Sequence, residues 1–135
     1  MNPIKNIHKV LTFVTFDRLH PGHKNFLEQA KSHGDYLVVV VARDENVKDI
    51  KGSYPSDDEK TRKKNLENLD IVDEVIMGYK DFKKRMDIIK EIEPNIICLG
   101  YDQDVKLPGG KYNVIALKPF HPDKYKTSLL NGLQK

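Results

Sequence analysis

Tyr36-Leu37-Val38-Val39-Val40-Val41-Ala42 is apolar without alternation, and a strand that is apolar on both faces belongs inside a sheet covered on both sides. The flanking segments supply the covers. Upstream, Gly22 to Ser32 places Phe26, Leu27 and Ala30 on one helical face and Lys24, Glu28 and Lys31 elsewhere, and His33-Gly34-Asp35 stops it. Before that helix, Val10 to Phe16 is a β-rich run ending at a turn. Downstream, Arg43 to Pro55 is polar and predicts a loop. Ser56-Asp57-Asp58-Glu59 has the spacing of a capping box, which predicts a helix to about Leu69. Asp73 to Met77, closed by Gly78, predicts a short strand. Phe82, Met86, Ile89 and Ile92 mark a helix stopped by Pro94, with further strands at Asn95 to Leu99 and Asn113 to Leu117. From Ser128 onward a short closing helix is expected. Strands that alternate with helices in this way predict an α/β fold in three layers, built on a five-stranded, mainly parallel sheet.

The 135 residues suit a single domain spanning 1–135. A net charge of +3 comes from 19 Lys and 4 Arg scattered among 20 acids, which lacks the clustered, arginine-bearing face of a nucleic-acid binder. Cys98 is the single cysteine, so no intramolecular disulfide forms, and its apolar neighbours Ile96, Ile97 and Leu99 predict a buried, inert thiol. No apolar stretch approaches the ~20 residues of a membrane span, and Met1 to Lys9 is too polar for a signal peptide. A cytoplasmic protein that engages neither membrane nor nucleic acid is the expectation.

In an open parallel sheet, ligands bind beyond the carboxyl ends of the strands. Thr15-Phe16-Asp17-Arg18-Leu19-His20-Pro21-Gly22-His23 falls there, between the first strand and the first helix. Gly22 permits a sharp turn and close approach of a ligand. The helix that starts around it aims backbone N–H groups at the same space, a natural anion site. Two histidines flank the turn, and imidazoles can stabilise charge that develops as a phosphoryl group passes between oxygens. A metal site is the rival reading, but no cysteine cluster accompanies the pair and the other histidines are distant in sequence. No protein metal ligand is therefore assigned.

Thr15-Phe16-Asp17 followed by His20-Pro21-Gly22-His23 resembles the signature of the cytidylyltransferase-like superfamily of nucleotidyltransferases. The similarity continues through Gly34-Asp35-Tyr36-Leu37-Val38-Val39, Ala42-Arg43-Asp44, Arg62, Val72-Asp73-Glu74-Val75 and Leu99-Gly100-Tyr101-Asp102. The resemblance implies a Rossmann-like sheet and transfer of a nucleoside monophosphate without a covalent enzyme intermediate. It assigns Thr15 and Phe16 to the triphosphate, within a nucleotide-binding turn that also holds Asp17, Pro21 and Gly22. His20 and His23 would stabilise the reacting phosphate and the departing pyrophosphate. Gly100 and Asp102 would lie by the ribose or base, and Lys48, with Lys51, would bind phosphate from a mobile loop. Arg62 matches a family arginine near the substrate; a salt bridge on its own helix is the alternative. Tyr125-Lys126-Thr127-Ser128-Leu129 stands at the family's C-terminal phosphate motif, where Thr127 and Ser128 keep the hydroxyl pair and Leu129 replaces the usual cation. Val14 stands where the family has glycine.

Within the superfamily, Val39 to Asp44, Val47-Lys48 and Pro94 to Asp104, above all Leu99-Gly100-Tyr101-Asp102-Gln103, are most similar to the archaeal FAD synthases. Such enzymes transfer AMP from ATP to FMN, releasing pyrophosphate, with a divalent metal, Mg²⁺ by expectation, carried on the ATP. A homodimer is implied as well. Glycerol-3-phosphate cytidylyltransferase, a sugar-phosphate adenylyltransferase and a non-catalytic nucleotide-binding module remain open as alternatives at this point.

Overall fold

Six residues, Lys9–Val14, form the first strand, β1, and the sheet is arranged about it. The computed structural model describes residues 8–81, 84–100 and 113–117, with residues 85 and 86 described by backbone alone. After β1 come α1 (Pro21–Lys31), β2 (Tyr36–Val41), α2 (Asp44–Lys51), α3 (Glu59–Glu67), β3 (Glu74–Met77), α4 (Arg85–Ile92), β4 (Ile96–Gly100) and β5 (Asn113–Leu117). The five strands lie in the order β3-β2-β1-β4-β5, and every pairing is parallel. The α/β, Rossmann-like expectation is met, with a sheet that is wholly parallel.

The unbroken apolar run of β2 is explained by what covers it. Leu37, Val39 and Val41 join one buried cluster with Leu27 and Ala30 of α1 and Leu66 of α3. Val38 and Val40 join the other, with Leu11, Ile97, Leu99 and the α4 residues Ile88 and Ile89. Two helices on one face and one on the other give the three layers. Val14 belongs to the α1 side, so its β-branched side chain is used in packing. Cys98 is buried in the same cluster, and burial pushes its thiol up to about 11.

Beside β1 the chain makes its topological switch, with β2 on one side and β4 on the other. Polar side chains reinforce that seam. The Lys9 N–H donates to Asn95 Oδ1 at 2.7 Å, the Asn95 N–H returns to the Lys9 carbonyl at 2.9 Å, and the buried Thr12 hydroxyl donates to the Cys98 carbonyl at 2.8 Å. The crevice of such a sheet opens beyond the carboxyl ends of β1 and β4. Residues 15–23 leave from one end and Gly100 closes the other.

Two expectations are corrected. Residues 43–55 are not all loop, since Asp44–Lys51 form α2. Acids fill its first turn and lysines its last, and Gly52 at φ +88° closes it by donating to the Lys48 carbonyl at 2.7 Å. Its charge order suits the helix dipole, and the left-handed cap is the conformation that favours glycine. The second correction is the cap of α3. Asp58, not Ser56, is the N-cap, accepting from the Thr61 N–H at 2.8 Å. Ile89 and Ile92 pack as the stripe before Pro94 requires. Phe82, the Met86 side chain and the closing helix from Ser128 lie outside the described residues. Among those residues no helix is long and apolar enough to cross a membrane.

Candidate active site

Past Val14 the backbone enters a conformation that side chains rarely tolerate. Phe16 (φ 50°) and Arg18 (φ 54°) both occupy the left-handed region, which is costly for a bulky residue and persists only where the surroundings enforce it. Three sets of contacts do the enforcing. The Phe16 ring stacks on His23, with centroids 4.2 Å apart and planes 14° apart, and meets Phe26 edge-on at 5.5 Å. Both oxygens of the Asp17 carboxylate are taken by backbone, accepting from the Ser56 N–H at 2.7 Å and the Asp57 N–H at 2.8 Å. Finally, Arg62 Nη1 donates to the Thr15 carbonyl at 3.0 Å.

The turn then becomes α1, and the two histidines make the entry. His20 is the N-cap, with extended backbone. Its Nδ1 accepts from the Gly22 N–H at 3.0 Å and the His23 N–H at 3.4 Å, while His23 Nδ1 accepts from the His20 N–H at 3.3 Å. This is a reciprocal capping box built from two imidazoles in place of a hydroxyl and a carboxamide. Pro21 follows at the first helical position, where its missing N–H costs nothing. Gly22 is required by close approach, because a Cβ there would stand 2.9 Å from His20 Cε1. The two rings stack at 3.6 Å with 23° between planes.

That geometry fixes the proton. Each Nδ1 is an acceptor, so each neutral ring carries its hydrogen on Nε2. Burial lowers the pKa of His20. His23 is held down to about 3 by burial, then by the charges of His20 and Lys51, with Asp17 opposing. The first turn of α1 contains no acidic residue. A positive helix end thus meets two neutral hydrogen-bond donors and a lysine charge that reaches His23, which is an environment for a polyanion.

Residues 15–17 and 20–23 are brought together as expected, and Gly100 ends the strand beside β1. Arg62 turns its side chain into the protein. Its side chain is fully buried and its donors face the protein: Nε to the Asp57 carbonyl at 3.1 Å, Nη1 to Thr15, and Nη2 to the Ala42 carbonyl at 2.9 Å and to Asp44 Oδ1 at 2.7 Å. It knits the turn after β1, the end of β2 and the starts of α2 and α3. Asp44 and Glu59 complete the knot. The Asp44 N–H donates to Glu59 Oε1 at 2.9 Å, the Glu59 N–H donates to Asp44 Oδ2 at 3.1 Å, and Arg43 Nη1 holds the other Glu59 oxygen at 3.0 Å. In the sequence Asp44 stands out only within Ala42-Arg43-Asp44 and Glu59 only within the capping-box spacing, and neither is paired there with Arg62, although the fourth-residue spacing of Arg62 and the buried Leu66 could have marked Arg62 as inward-facing. Lys48 is exposed on α2, its Nζ 5.0 Å from the centre of the Tyr54 ring. Asp102, Tyr125, Thr127 and Ser128 lie outside the described residues. Among those described, no group of three or more His, Cys, Asp or Glu could hold a metal ion.

A cytidylyltransferase-like family model matches residues 11–126, which take in the sheet and the histidine turn. The chain belongs to the cytidylyltransferase-like family. Its similar proteins include the FAD synthase of Ferroglobus placidus, 48% identical over 97 residues that make up 70% of this chain and 60% of that one. The FAD synthase of Aciduliprofundum boonei is 39% identical over 136 residues, 94% of this chain and 86% of that one. Among solved structures, the lipopolysaccharide core biosynthesis protein of Thermoplasma volcanium GSS1 superposes with a TM-score of 0.76 at 31% identity, covering 84% of this chain and 98% of the other. Family membership and the paired imidazoles agree on the chemistry: the chain is a nucleotidyltransferase.

Proposed function

We propose that this chain transfers AMP from ATP to FMN, yielding FAD and pyrophosphate. The observation that carries the reaction type is the pair of neutral, stacked imidazoles with hydrogen on Nε2 at the unneutralised start of α1. The two archaeal FAD synthases support the choice of acceptor.

In this reading an FMN phosphate oxygen attacks the α-phosphorus of ATP in line. One P–O bond forms, the α–β bridging P–O bond breaks, and its electrons leave on pyrophosphate. The acceptor phosphate is ionised near neutral pH, so attack needs no strong base. Positioning and charge stabilisation are the tasks left to the protein. The Nε2–H groups of His20 and His23 donate to the α-phosphate and the bridging oxygen, and the approach of negative charge favours their protonated forms as the bond breaks. Thr15, Phe16, Asp17, Pro21 and Gly22 form the rigid turn that receives the triphosphate, Lys48 and Lys51 add charge from α2, and the resemblance assigns Gly100 and Asp102 to the nucleoside. The family resemblance assigns Tyr125, Thr127 and Ser128 to the phosphates. The divalent ion, Mg²⁺ in the first instance, arrives as part of the ATP substrate. Arg62 acts as a positioning residue, and a homodimer in the cytoplasm is the proposed working state.

The test is to incubate the purified chain with ATP, FMN and Mg²⁺ and follow FAD and pyrophosphate. Stoichiometric formation of both supports the reading. Efficient use of CTP with glycerol 3-phosphate, or of ATP with a sugar phosphate, overturns the acceptor. The sugar-phosphate arm has its own motive, since the Thermoplasma protein that shares the fold is named for lipopolysaccharide core biosynthesis.

A further inference from the structure

Three aromatic rings run as a column through the histidine turn. His20 stacks on His23 with centroids 3.6 Å and planes 23° apart, and Phe16 stacks on His23 at 4.2 Å with planes 14° apart. Two rings so close and so nearly parallel to a third cannot share one of its faces, because they would overlap. His23 is therefore sandwiched, with His20 on one face and the Phe16 ring on the other.

The backbone is strained to make that placement. Phe16 is held at φ 50°, a conformation costly for a bulky side chain and one that gathers at functional sites. The Phe16 ring is held from a second side by Phe26, which meets it at 89° and 5.5 Å. Burying an aromatic ring requires none of this.

The imidazole in the middle has a need that this ring can meet. Burial first, then the charges of His20 and Lys51, keep His23 neutral at rest, and Asp17 alone acts in the other direction. Both Asp17 oxygens are already bound by the Ser56 and Asp57 N–H groups. Yet transfer asks His23 to take on positive character as negative charge gathers on the bridging oxygen. An aromatic face attracts a cation within about 6 Å of its centroid, most strongly where water is excluded. It does so without giving or taking a proton.

We propose that Phe16 is a positioning residue for the transfer step: its ring fixes His23 in the column, and its π face stabilises the imidazolium that develops there as the α–β bond breaks. The proposal rests on the role given to His23 above and is independent of the acceptor.

The experiment replaces Phe16 in the full chain by phenylalanines carrying one, two and three ring fluorines, which drain the π face and nearly keep the shape of the ring. Turnover, the KM for ATP and the melting temperature are measured for each. Turnover is expected to fall stepwise with each fluorine, to about a tenth of wild type at the third. The KM for ATP and the melt should hold, because the interaction strengthens only as charge develops. Phe16→Leu, which keeps apolar bulk without a π face, should lose at least as much turnover. Turnover indifferent to fluorine, or falling only in step with the melting temperature, makes Phe16 a packing residue and overturns the proposal; lost turnover in His23→Gln would then leave the role of His23 standing. Full turnover in His23→Gln overturns both.

Discussion

The N-terminus of α1 and the paired N-termini of α2 and α3 solve one problem in opposite ways. Each must satisfy backbone N–H groups left without partners at the start of a helix. At α2 and α3 carboxylates do it: Asp44 and Glu59 each cap the other's helix, Asp58 caps its own, and Arg62 binds Asp44. At α1 two neutral imidazoles do it, and no acid enters the first turn. Protein charge cancels the positive end of the first pair of helices and leaves that of α1 for a ligand. The capping chemistry therefore sets the helix start proposed as the site apart from the other two, which a list of helix N-termini would not.

The comparison breaks first at Arg62. Arg62→Met leaves Asp44 and three backbone carbonyls without their donor, and removal of one partner from a buried pair costs about 3–5 kcal/mol. In a domain of this size the melting temperature should fall by roughly 10 °C or more, with turnover falling as the turn after β1 loosens. Thermal melts beside initial rates decide it. Lost turnover at an unchanged melting temperature would return Arg62 to the substrate.

At α1 the capping and chemical duties can be pulled apart. Asn is a strong N-cap and Gln is a natural partner at the third helical position. His20→Asn and His23→Gln should therefore keep the helix start while removing the imidazoles. Turnover should drop by about 10²–10³ for either, with little change in the melt. Full turnover together with a lower melting temperature would make the pair a cap and nothing more.

The last test is of pH dependence. His23 titrates near 3 in the folded chain against 6.5 ordinarily, and burial lowers His20 too. Below 6.5 the unfolded chain takes up protons that the folded one refuses. The stability is therefore full above 6.5 and is lost as pH falls toward about 3. Melting temperatures measured across that window should fall more steeply for wild type than for His23→Gln. Parallel curves would contradict the neutral stacked pair.

Much of this was legible in the chain, and the exceptions share a cause. β2 announced itself because burial on both faces leaves no room for a polar residue from Leu37 to Val41. The histidine turn was legible because its residues are contiguous. Residues 44–51 read as loop because the N–H of Asp44 is satisfied by Glu59, fifteen positions away, and a single side chain, Val47, is buried. The local signals were the Gly52 stop and the order of charges, acids first and lysines last. Ser56 read as a cap because local spacing cannot show that its own N–H and that of Asp57 are claimed by Asp17. For Arg62, sequence offered a place near the substrate or a salt bridge on its own helix, whereas the fold surrounds its guanidinium with the nearby Asp57 carbonyl and with carbonyls from two distant segments, at Thr15 and Ala42. Long-range hydrogen bonds leave no periodicity behind.

The seam between β1 and β4 also bears on how the chain is made. Thr12 and Cys98, or Lys9 and Asn95, are partners 86 residues apart. The central strand leaves the ribosome well before β4, so one of its two edges has no neighbour until synthesis has reached Cys98, 86 residues after Thr12. Contacts so distant in sequence are slow to form, and an apolar strand edge left open meanwhile invites pairing with other chains. Truncation before Ile96 would make that transient exposure permanent, so premature stops in the second half should yield aggregates in place of smaller soluble domains.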